Sequence, residues 1–399
     1  MKAVSWLRVA SRPELDPRRV LIVSQATVDG VAVCVRDLVQ AAVTRGYKVT
    51  VACPRGGALA AWAMERHAAW VPLDMRRSPH ITDLPIMLRL RSLARSHAIV
   101  HLHSSKAGAV GRLALMSLGR QRPPSVFTPH GWSWLVGGRM APAYRLFERL
   151  MVPVTTAVVA VSAEERSHGQ AVLGSRAARI QLIPNGVDAA RFRPEGPRAE
   201  RTADPLLVSV GRLCHARAPD IAVTALSLVR TPAARLRLVG AGEDRAAVEA
   251  QARTLGLSGR VELAGFHPDP APDIRAADVV VVPSRYDGMA LVLLEAMACG
   301  AAVVATRVPG SSVLDGVGVL VPVEDPPALA RAVDALLADP ARRRLLGQAA
   351  SQRVVRQYSL ENSLDSILAL WRDLGGGPAP SGEASVSPIQ EHLTRKKLR

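Results

Sequence analysis

The sequence predicts an α/β protein built from two doubly wound parallel sheets. Three observations carry that prediction. Short apolar runs rich in β-branched residues recur along the chain, among them Arg19–Val23, Ile99–His103, Leu206–Val210 and Asp278–Val282; such runs mark strands buried on both faces. Between them lie Leu-, Ala- and Met-rich stretches with glycines such as Gly46 and Gly300 where a left-handed helix cap belongs. The alternation occurs in two successive halves, and 399 residues suffice for two cores. The boundaries read as a lead over 1–18, a first domain over 19–195, a second over 200–374 and a tail over 375–399. The Pro/Gly-containing segment Arg193–Pro205 links the domains. The Gly, Pro and Ser content of the tail marks it as disordered, and its end, Arg395–Arg399, is basic.

The elements follow in order. Arg19–Val23 is the first strand. Ser24–Val33, with Gly30 in a loop, leads to a helix Ala32–Arg45 stopped by Gly46, and Lys48–Ala52 is the second strand. Ile86–His97 reads as a basic amphipathic helix carrying Arg89, Arg91 and Arg95, either a membrane-surface element or a solvated face. Tyr144–Met151, with Arg145, Arg149 and the nearby Trp132 and Trp134, extends that basic, aromatic character.

Strand Ile99–His103 runs into Ser104, Ser105 and Lys106 at the opening of a helix, a combination that binds anions or simply caps. His101 and His103 share a strand face but lack a third ligand for a metal. Ser125–Gly131 is a strand end carrying His130. Val158–Val161 precedes Ser162 and Glu165, spaced as a capping box, and Ile183–Asp188 is a strand-end turn.

In the second half, Leu206–Val210 is followed by Gly211, Arg212 and Arg217, fixed cations suited to phosphate oxygens. Leu236–Val239 ends in Gly240-Ala-Gly242 with a helix from Glu243, and Val261–Leu263 is a further strand. Asp278–Val282 leads through the loop Ser284–Gly288 to a helix Met289–Cys299 and a strand Ala301–Ala305. A strand Gly318–Val321 and helices Asp325–Leu337, Pro340–Tyr358 and Ser359–Leu374 complete the chain.

Apolar residues make up 48% and aromatic residues 4%, so the cores are expected to consist of Ala, Val and Leu. No run approaches the ~18 uncharged apolar residues of a membrane span, and Met1–Arg19 has no apolar signal core. The four cysteines, Cys34, Cys53, Cys214 and Cys299, are scattered as reduced thiols of a cytoplasmic protein would be. Residues 1–200 carry 28 Lys+Arg against 13 Asp+Glu, most of the net +17. Without a nucleic-acid motif or stacking aromatics, that charge suits an anionic membrane face or a lipid-diphosphate acceptor better than nucleic acid.

Asp287 and Glu295 stand eight residues apart around the predicted start of a helix. At ~1.5 Å rise per residue that is about 12 Å, too far for the ~5–10 Å carboxyl pair of a glycoside hydrolase. The spacing suits the two ends of a nucleotide sugar, with the helix amino end at Gly288 and Met289 near the diphosphate.

The stretch Pro283–Gly300 resembles the acid-x7-acid signature of the retaining glycosyltransferases of family 4. Asp287 stands for the first Glu, and Gly288, Leu291, Glu295, Ala296 and Gly300 match. Gly211-Arg212-Leu213 with Arg217 is similar to that family's Gly-Arg-Leu-x-x-x-x-Lys-Gly, Arg217 replacing Lys and Ala218 replacing Gly. The Ser-Ser-Lys string and a single glycine, Gly30, where the family has a pair, extend the resemblance over residues 19–374.

That resemblance implies the GT-B fold, two Rossmann-like domains facing an interdomain cleft, and metal-independent, retaining sugar transfer. It implies no cofactor, and a UDP- or GDP-linked sugar as donor substrate. Glu295 would hold the ribose, Arg212 and Arg217 the diphosphate, and Asp287 with the Gly288 and Met289 amides the sugar. His130 would contact the transferring sugar, Gly30, Gly240 and Gly242 the donor, and Lys106, Ser104 and Ser105 the acceptor side. No Asp-x-Asp occurs in the chain, so no metal ligands are assigned. The expected acceptor is a polyprenyl-diphosphate-linked glycan in exopolysaccharide or envelope synthesis, which places the enzyme in the cytoplasm or on the inner face of the plasma membrane. A soluble small-molecule acceptor is the alternative, as is a non-catalytic nucleotide-sugar-binding scaffold. A GT-B epimerase or phosphorylase fits less well with the acid-x7-acid stretch beside Gly-Arg-Leu.

Overall fold

A computed structural model describes residues 15–76, 78–136, 138–174 and 179–377. The expected lead up to residue 14, the tail from 378 and the basic end Arg395–Arg399 lie outside the described residues. The described residues form two compact units: those up to Val161, within Glu165–Ile183 and from Glu361 make the first, Ser162–Glu164 and Pro184–Leu360 the second.

The first unit winds β1 (Arg19–Ser24), α1 (Asp29–Thr44), β2 (Lys48–Cys53), α2 (Leu59–Glu65), β3 (Ala69–Pro72), α3 (Asp83–Arg95), β4 (Ile99–His103), α4 (Ser105–Met116), β5 (Ser125–Thr128), α5 (Ala141–Met151), β6 (Ala157–Ala160), α6 (Ala163–Leu173) and β7 (Ile180–Leu182). Its strands form one sheet in the order β3-β2-β1-β4-β5-β6-β7, every pairing parallel. The apolar strand runs are buried on both faces, as their lack of alternation requires. One face packs on α1 and α2 through Val35, Leu38 and Leu59; the other packs on α3 and α4 through Ile86, Leu90 and Leu115.

The second unit winds β8 (Leu206–Val210), α7 (Pro219–Leu228), β9 (Arg235–Val239), α8 (Arg245–Thr254), β10 (Val261–Gly265), α9 (Ala271–Ala276), β11 (Val279–Val282), α10 (Leu291–Ala298), β12 (Val303–Thr306), β13 (Val319–Val321), α11 (Pro326–Leu337) and α12 (Pro340–Gln357). Its sheet runs β10-β9-β8-β11-β12-β13, again parallel throughout. Asp325 and Asp339 cap α11 and α12 by accepting from Ala328 and Arg342 N–H, with Pro326 and Pro340 at the first helical positions.

The last helix, α13 (Leu360–Asp373), packs into the first unit. Leu368, Leu370 and Trp371 are fully buried there, with Trp371 edge-on to Tyr47. The start of the segment read as the interdomain linker is fastened to the second unit. The buried Arg275 guanidinium donates to the carbonyls of Arg191, Arg193 and Pro197.

Several local expectations are corrected. Gly30 lies inside the first turn of α1, not in a loop, because the helix starts at Asp29. The left-handed residue at that turn is Asp29, with φ 64°. The pair α2 and β3 was not anticipated, and α8 begins at Arg245 rather than Glu243. Gly375–Gly377, expected in the disordered tail, close onto the first unit: Gly376 N–H donates to Trp371 O at 2.9 Å and Gly377 N–H to Pro17 O at 2.6 Å.

Both sheets reverse their strand order once, between β1 and β4 and between β8 and β11. At such a switch point the two flanking loops part and leave a crevice at the carboxyl ends of the strands. Most of the sequence-predicted site residues lie on the loops that follow those strands and β5 or in the first turns of the helices after them, while Gly240 and Gly242 follow β9.

Candidate active site

In the second unit the switch point is flanked by the loop after β8, Gly211–Ala218, and the loop after β11, Pro283–Ala290. Between them is a small open hollow lined by Gly211, Arg212, Arg217, Leu238 and Ser284. The Ser284 hydroxyl is buried there without a hydrogen-bond partner. Arg217 forms an ion pair with Asp287, joining the two loops; the Asp287 side chain is 10% exposed and that of Arg217 31%. Arg212, on the same hollow, lies 3.9 Å from Glu243. Arg212, Arg217, Ser284 and Asp287 are therefore neighbours.

The β11 loop is held from several sides. Arg285 donates to Asp220 Oδ1 and Oδ2 at 2.9 and 2.6 Å, and to His215 O at 2.9 Å. Hydrogen bonding to Asp220 raises the Arg285 pKa further, so that cation is permanent. Asn185 donates to Met289 O at 3.0 Å. Gly310, at φ 79°, packs so closely that an added Cβ would collide with Gly288 O. These contacts fix the loop before any ligand arrives.

Two features differ from the predicted arrangement. The helix α10 begins at Leu291, so Asp287, Gly288 and Met289 precede it and the 12 Å helical-rise estimate does not apply. The Gly288 amide is taken up by Asp287 Oδ1 at 2.9 Å rather than left open. Glu295 sits in the second turn of α10, half-buried while Val292, Leu293, Leu294, Ala296 and Met297 bury the rest of the helix. Gly240 and Gly242 serve the close approach of two loops, since a Cβ on either would strike the backbone oxygen of Gly211 or Leu213. That packing lets Leu213 N–H donate to Ala241 O at 3.0 Å.

In the first unit, the carboxyl ends of β4 and β5 carry three histidines. His101 and His103 point to one face of β4 and are buried; His130 follows β5 in the left-handed region, φ 54°. Its ring reaches back to His103, with His130 Nε2 3.0 Å from His103 Nδ1. His101 Nε2 is 2.8 Å from Thr128 Oγ1, and Trp371 Nε1–H donates to His101 Nδ1 at 3.3 Å. Burial holds all three imidazoles neutral: His101 is lowered to about 3, His130 to about 4, and His103 well below the ordinary value.

Behind them, Glu165 lies in the first turn of α6. Its oxygens accept the N–H groups of Gly131 and Val161, both at 2.6 Å, and its own carbonyl accepts Trp132 Nε1–H at 2.7 Å. Burial pushes this carboxyl up to about 7 against the pull of the two amides.

The Ser104–Lys106 loop holds its cation internally. Lys106 Nζ pairs with Asp83 and donates to Ser78 O at 3.0 Å. Ser104 adopts φ 77° and makes no side-chain cap bond, so capping does not account for it; its hydroxyl is buried without a partner. Ser105 opens α4, and Gly30 lies in the first turn of α1. Sequence reasoning gave no role to Ser284, Asn185 and Arg285 and read Glu165 only as a helix cap, because their roles depend on partners many residues away. A serine closing a buried valine run was the one local signal.

Three kinds of similarity accompany this geometry. A model described as glycosyl transferases group 1 matches residues 204–339, and one described as glycosyltransferase family 4 matches residues 28–191. The D-inositol 3-phosphate glycosyltransferase of Segniliparus rotundus is 34% identical over 310 residues, 71% of this chain and 68% of that protein. Among solved structures, Anabaena HepE in complex with UDP and glucose superposes with a TM-score of 0.74 at 19% identity, over 89% of this chain and 99% of that one. Sucrose-phosphate synthase from Thermosynechococcus elongatus gives 0.74 at 24%, over 89% and 98%.

Proposed function

The chain belongs to the family 4 glycosyltransferases, of the GT-B fold, and from that premise we propose that it moves a hexose from a nucleoside-diphosphate sugar to a small phosphorylated polyol, with retention of anomeric configuration. The observation that carries this reading is the convergence of Arg212, Arg217 and Ser284 on one hollow at the switch point of the second sheet, with Asp287 paired to Arg217 beside it. Two guanidinium forks match a diphosphate and would balance its charge as it leaves. The Ser284 hydroxyl, buried and unengaged, offers a hydrogen bond to the same group. Asp287 and Glu295 serve as acceptors for sugar and ribose hydroxyls. With the arginines carrying the leaving charge, the transfer is read as metal-independent.

The donor is assigned as a UDP- or GDP-linked sugar; the ligands named for HepE favour UDP. The curated relatives named as inositol-phosphate enzymes favour the soluble acceptor over the polyprenyl-linked glycan expected from the charge. The decisive experiment measures nucleoside diphosphate release from UDP-glucose, UDP-N-acetylglucosamine and GDP-mannose with inositol phosphates or extracted lipid-linked sugars as acceptors. Release that depends on a phosphorylated polyol, giving a product of unchanged anomeric configuration by NMR, is the expected result. Release with lipid-linked acceptors alone refutes the acceptor assignment; binding without release refutes transfer.

A second reading concerns location. Exposed Ile81, Leu84 and Leu88 on and before α3, and Met140, Leu146 and Leu150 on and before α5, stand among Arg89, Arg95, Arg139, Arg145 and Arg149. The acids of these helices are consumed inward, Asp83 by Lys106 and Glu148 by Arg112. An apolar and cationic face of this kind supports docking on an anionic bilayer. No helix among the described residues is long and apolar enough to cross a membrane. Flotation with vesicles containing anionic lipid, lost in L84D/L88D and in high salt, is the expected outcome; equal flotation with neutral vesicles removes the electrostatic part.

A further inference from the structure

We infer that His103 is a positioning residue that fixes the tautomer of His130, so that His130 presents an Nδ1–H donor to its ligand. The inference rests on the assignment of His130 to the sugar site, but its physical basis lies in the hydrogen bonds of the histidine column.

Three rings follow one another along β4 and the end of β5, His101 tilted over His103 at 4.1 Å between centroids and His103 edge to edge with His130 at 5.4 Å. The column begins at Trp371. An indole N–H can only donate, so His101 Nδ1 accepts from it and the single proton of the neutral ring sits on Nε2. That N–H is then the donor to Thr128 Oγ1.

At the other end, His103 Nδ1 and His130 Nε2 are 3.0 Å apart. With both rings neutral, one of these nitrogens carries the proton and the other accepts. The choice is made by the far nitrogen of His103. Its Nε2 is buried and has no hydrogen-bond partner. If the proton were there, an N–H would be orphaned in the interior, the rarer and costlier defect compared with an under-used acceptor. The proton of His103 therefore sits on Nδ1, which donates to His130 Nε2. The remaining proton of His130 is then on its own Nδ1, turned away from His103.

The left-handed backbone of His130 has a purpose in this arrangement. At φ 54° the residue pays steric strain, and the turn is kept by the Glu165 carboxylate on the next amide, Gly131 N–H. That geometry brings the ring back over β4 instead of continuing along β5. His130 is thus held in angle by Glu165 and in protonation by His103. A sugar hydroxyl meeting Nδ1 finds a donor, with no rearrangement of protons on binding.

The test is nitrogen-detected NMR of the full chain labelled with 15N-histidine, assigned by His103→Asn and His130→Asn. Both His103 and His130 are expected to show a protonated Nδ1 and a bare Nε2 at pH 7. A protonated Nε2 on His130 overturns the inference, whatever the enzyme's activity turns out to be. Kinetics supply the second arm. His103→Leu removes the donor and is expected to lower kcat about tenfold, with the affinity for UDP unchanged. His103→Asn, whose side-chain amide can reach the position of Nδ1–H, is expected to recover most of that rate. Equal rates for the two variants, or an unaffected kcat in His103→Leu, overturns the positioning role. Absence of transfer by the wild-type chain sinks the proposed function and leaves the NMR result to decide this inference.

Discussion

Asp287→Asn keeps the shape of the side chain and removes its charge. Asp287 pairs with Arg217 beside the hollow assigned to the diphosphate, so a negative charge borders an anion site. Two unit charges about 8 Å apart interact by about 2 kcal/mol at an effective dielectric near 20. The 31% exposure of the Arg217 side chain admits solvent, and screening reduces the term to about 1 kcal/mol. Neutralising Asp287 also frees the Arg217 fork for phosphate oxygens. The variant is therefore expected to bind UDP about fivefold more tightly at low salt, while its turnover falls by tenfold or more because a sugar hydroxyl exchanges a charged acceptor for a weaker neutral one. Calorimetric titration of UDP at about 0.05 M and 0.5 M salt checks the first part, and the gain should shrink at the higher salt. Weaker UDP binding at both salts would refute the reasoning and make Asp287 an orienting group for Arg217.

Gly310→Ala sets a Cβ against Gly288 O at φ 79°; a loss of about 2 kcal/mol in stability, seen as a Tm several degrees lower, should come with reduced turnover. Arg112 and Glu148 form a buried bidentate pair at 2.6 and 2.7 Å, the guanidinium lying over Phe127. Arg112→Leu alone should cost about 3–5 kcal/mol in urea unfolding, and Arg112→Leu with Glu148→Met should recover much of it. The histidine column makes the fold acid-sensitive. Folded pKa values near 3 for His101 and 4 for His130 lie below the ordinary 6.5, and burial lowers that of His103 well below it too. The unfolded chain therefore binds the extra protons, and stability falls as pH drops from about 6.5 toward 4. Glu165 acts oppositely: with a folded pKa of about 7 against an ordinary 4.5, it holds its proton in the folded state, and stability rises as pH falls from 7 to 4.5. Three groups outweigh one, so unfolding measured between pH 6.5 and 4.5 should show net destabilisation, steeper in Glu165→Gln than in wild type.

The strands were legible because a strand buried on both faces leaves an uninterrupted apolar run. Leu206–Val210 and Ile99–His103 were placed to the residue. The edge strand β3, Ala69–Pro72, has no such run, and the short α2 before it has no cap. Both went unseen. The start of α1 was misplaced because Asp29, rather than Gly30, takes the left-handed turn. At the site, sequence identified which residue types gather at the strand ends but not how their charges are spent. Lys106 and Asp83 are far apart in sequence, as are Arg285 and Asp220, or Glu165 and Gly131. Partner choice over such separations depends on the register of the sheet, which spacing alone does not reveal.

The burial of Trp371 within the first unit has a consequence for how the protein is made. A growing polypeptide leaves the ribosome from its amino end, so the whole second sheet emerges before the helix that closes the first core. Until then Tyr47 and His101 lack the indole they pack against, and the nascent first half waits with one apolar side open. Its completion is therefore a late event of synthesis, tied to the arrival of α13.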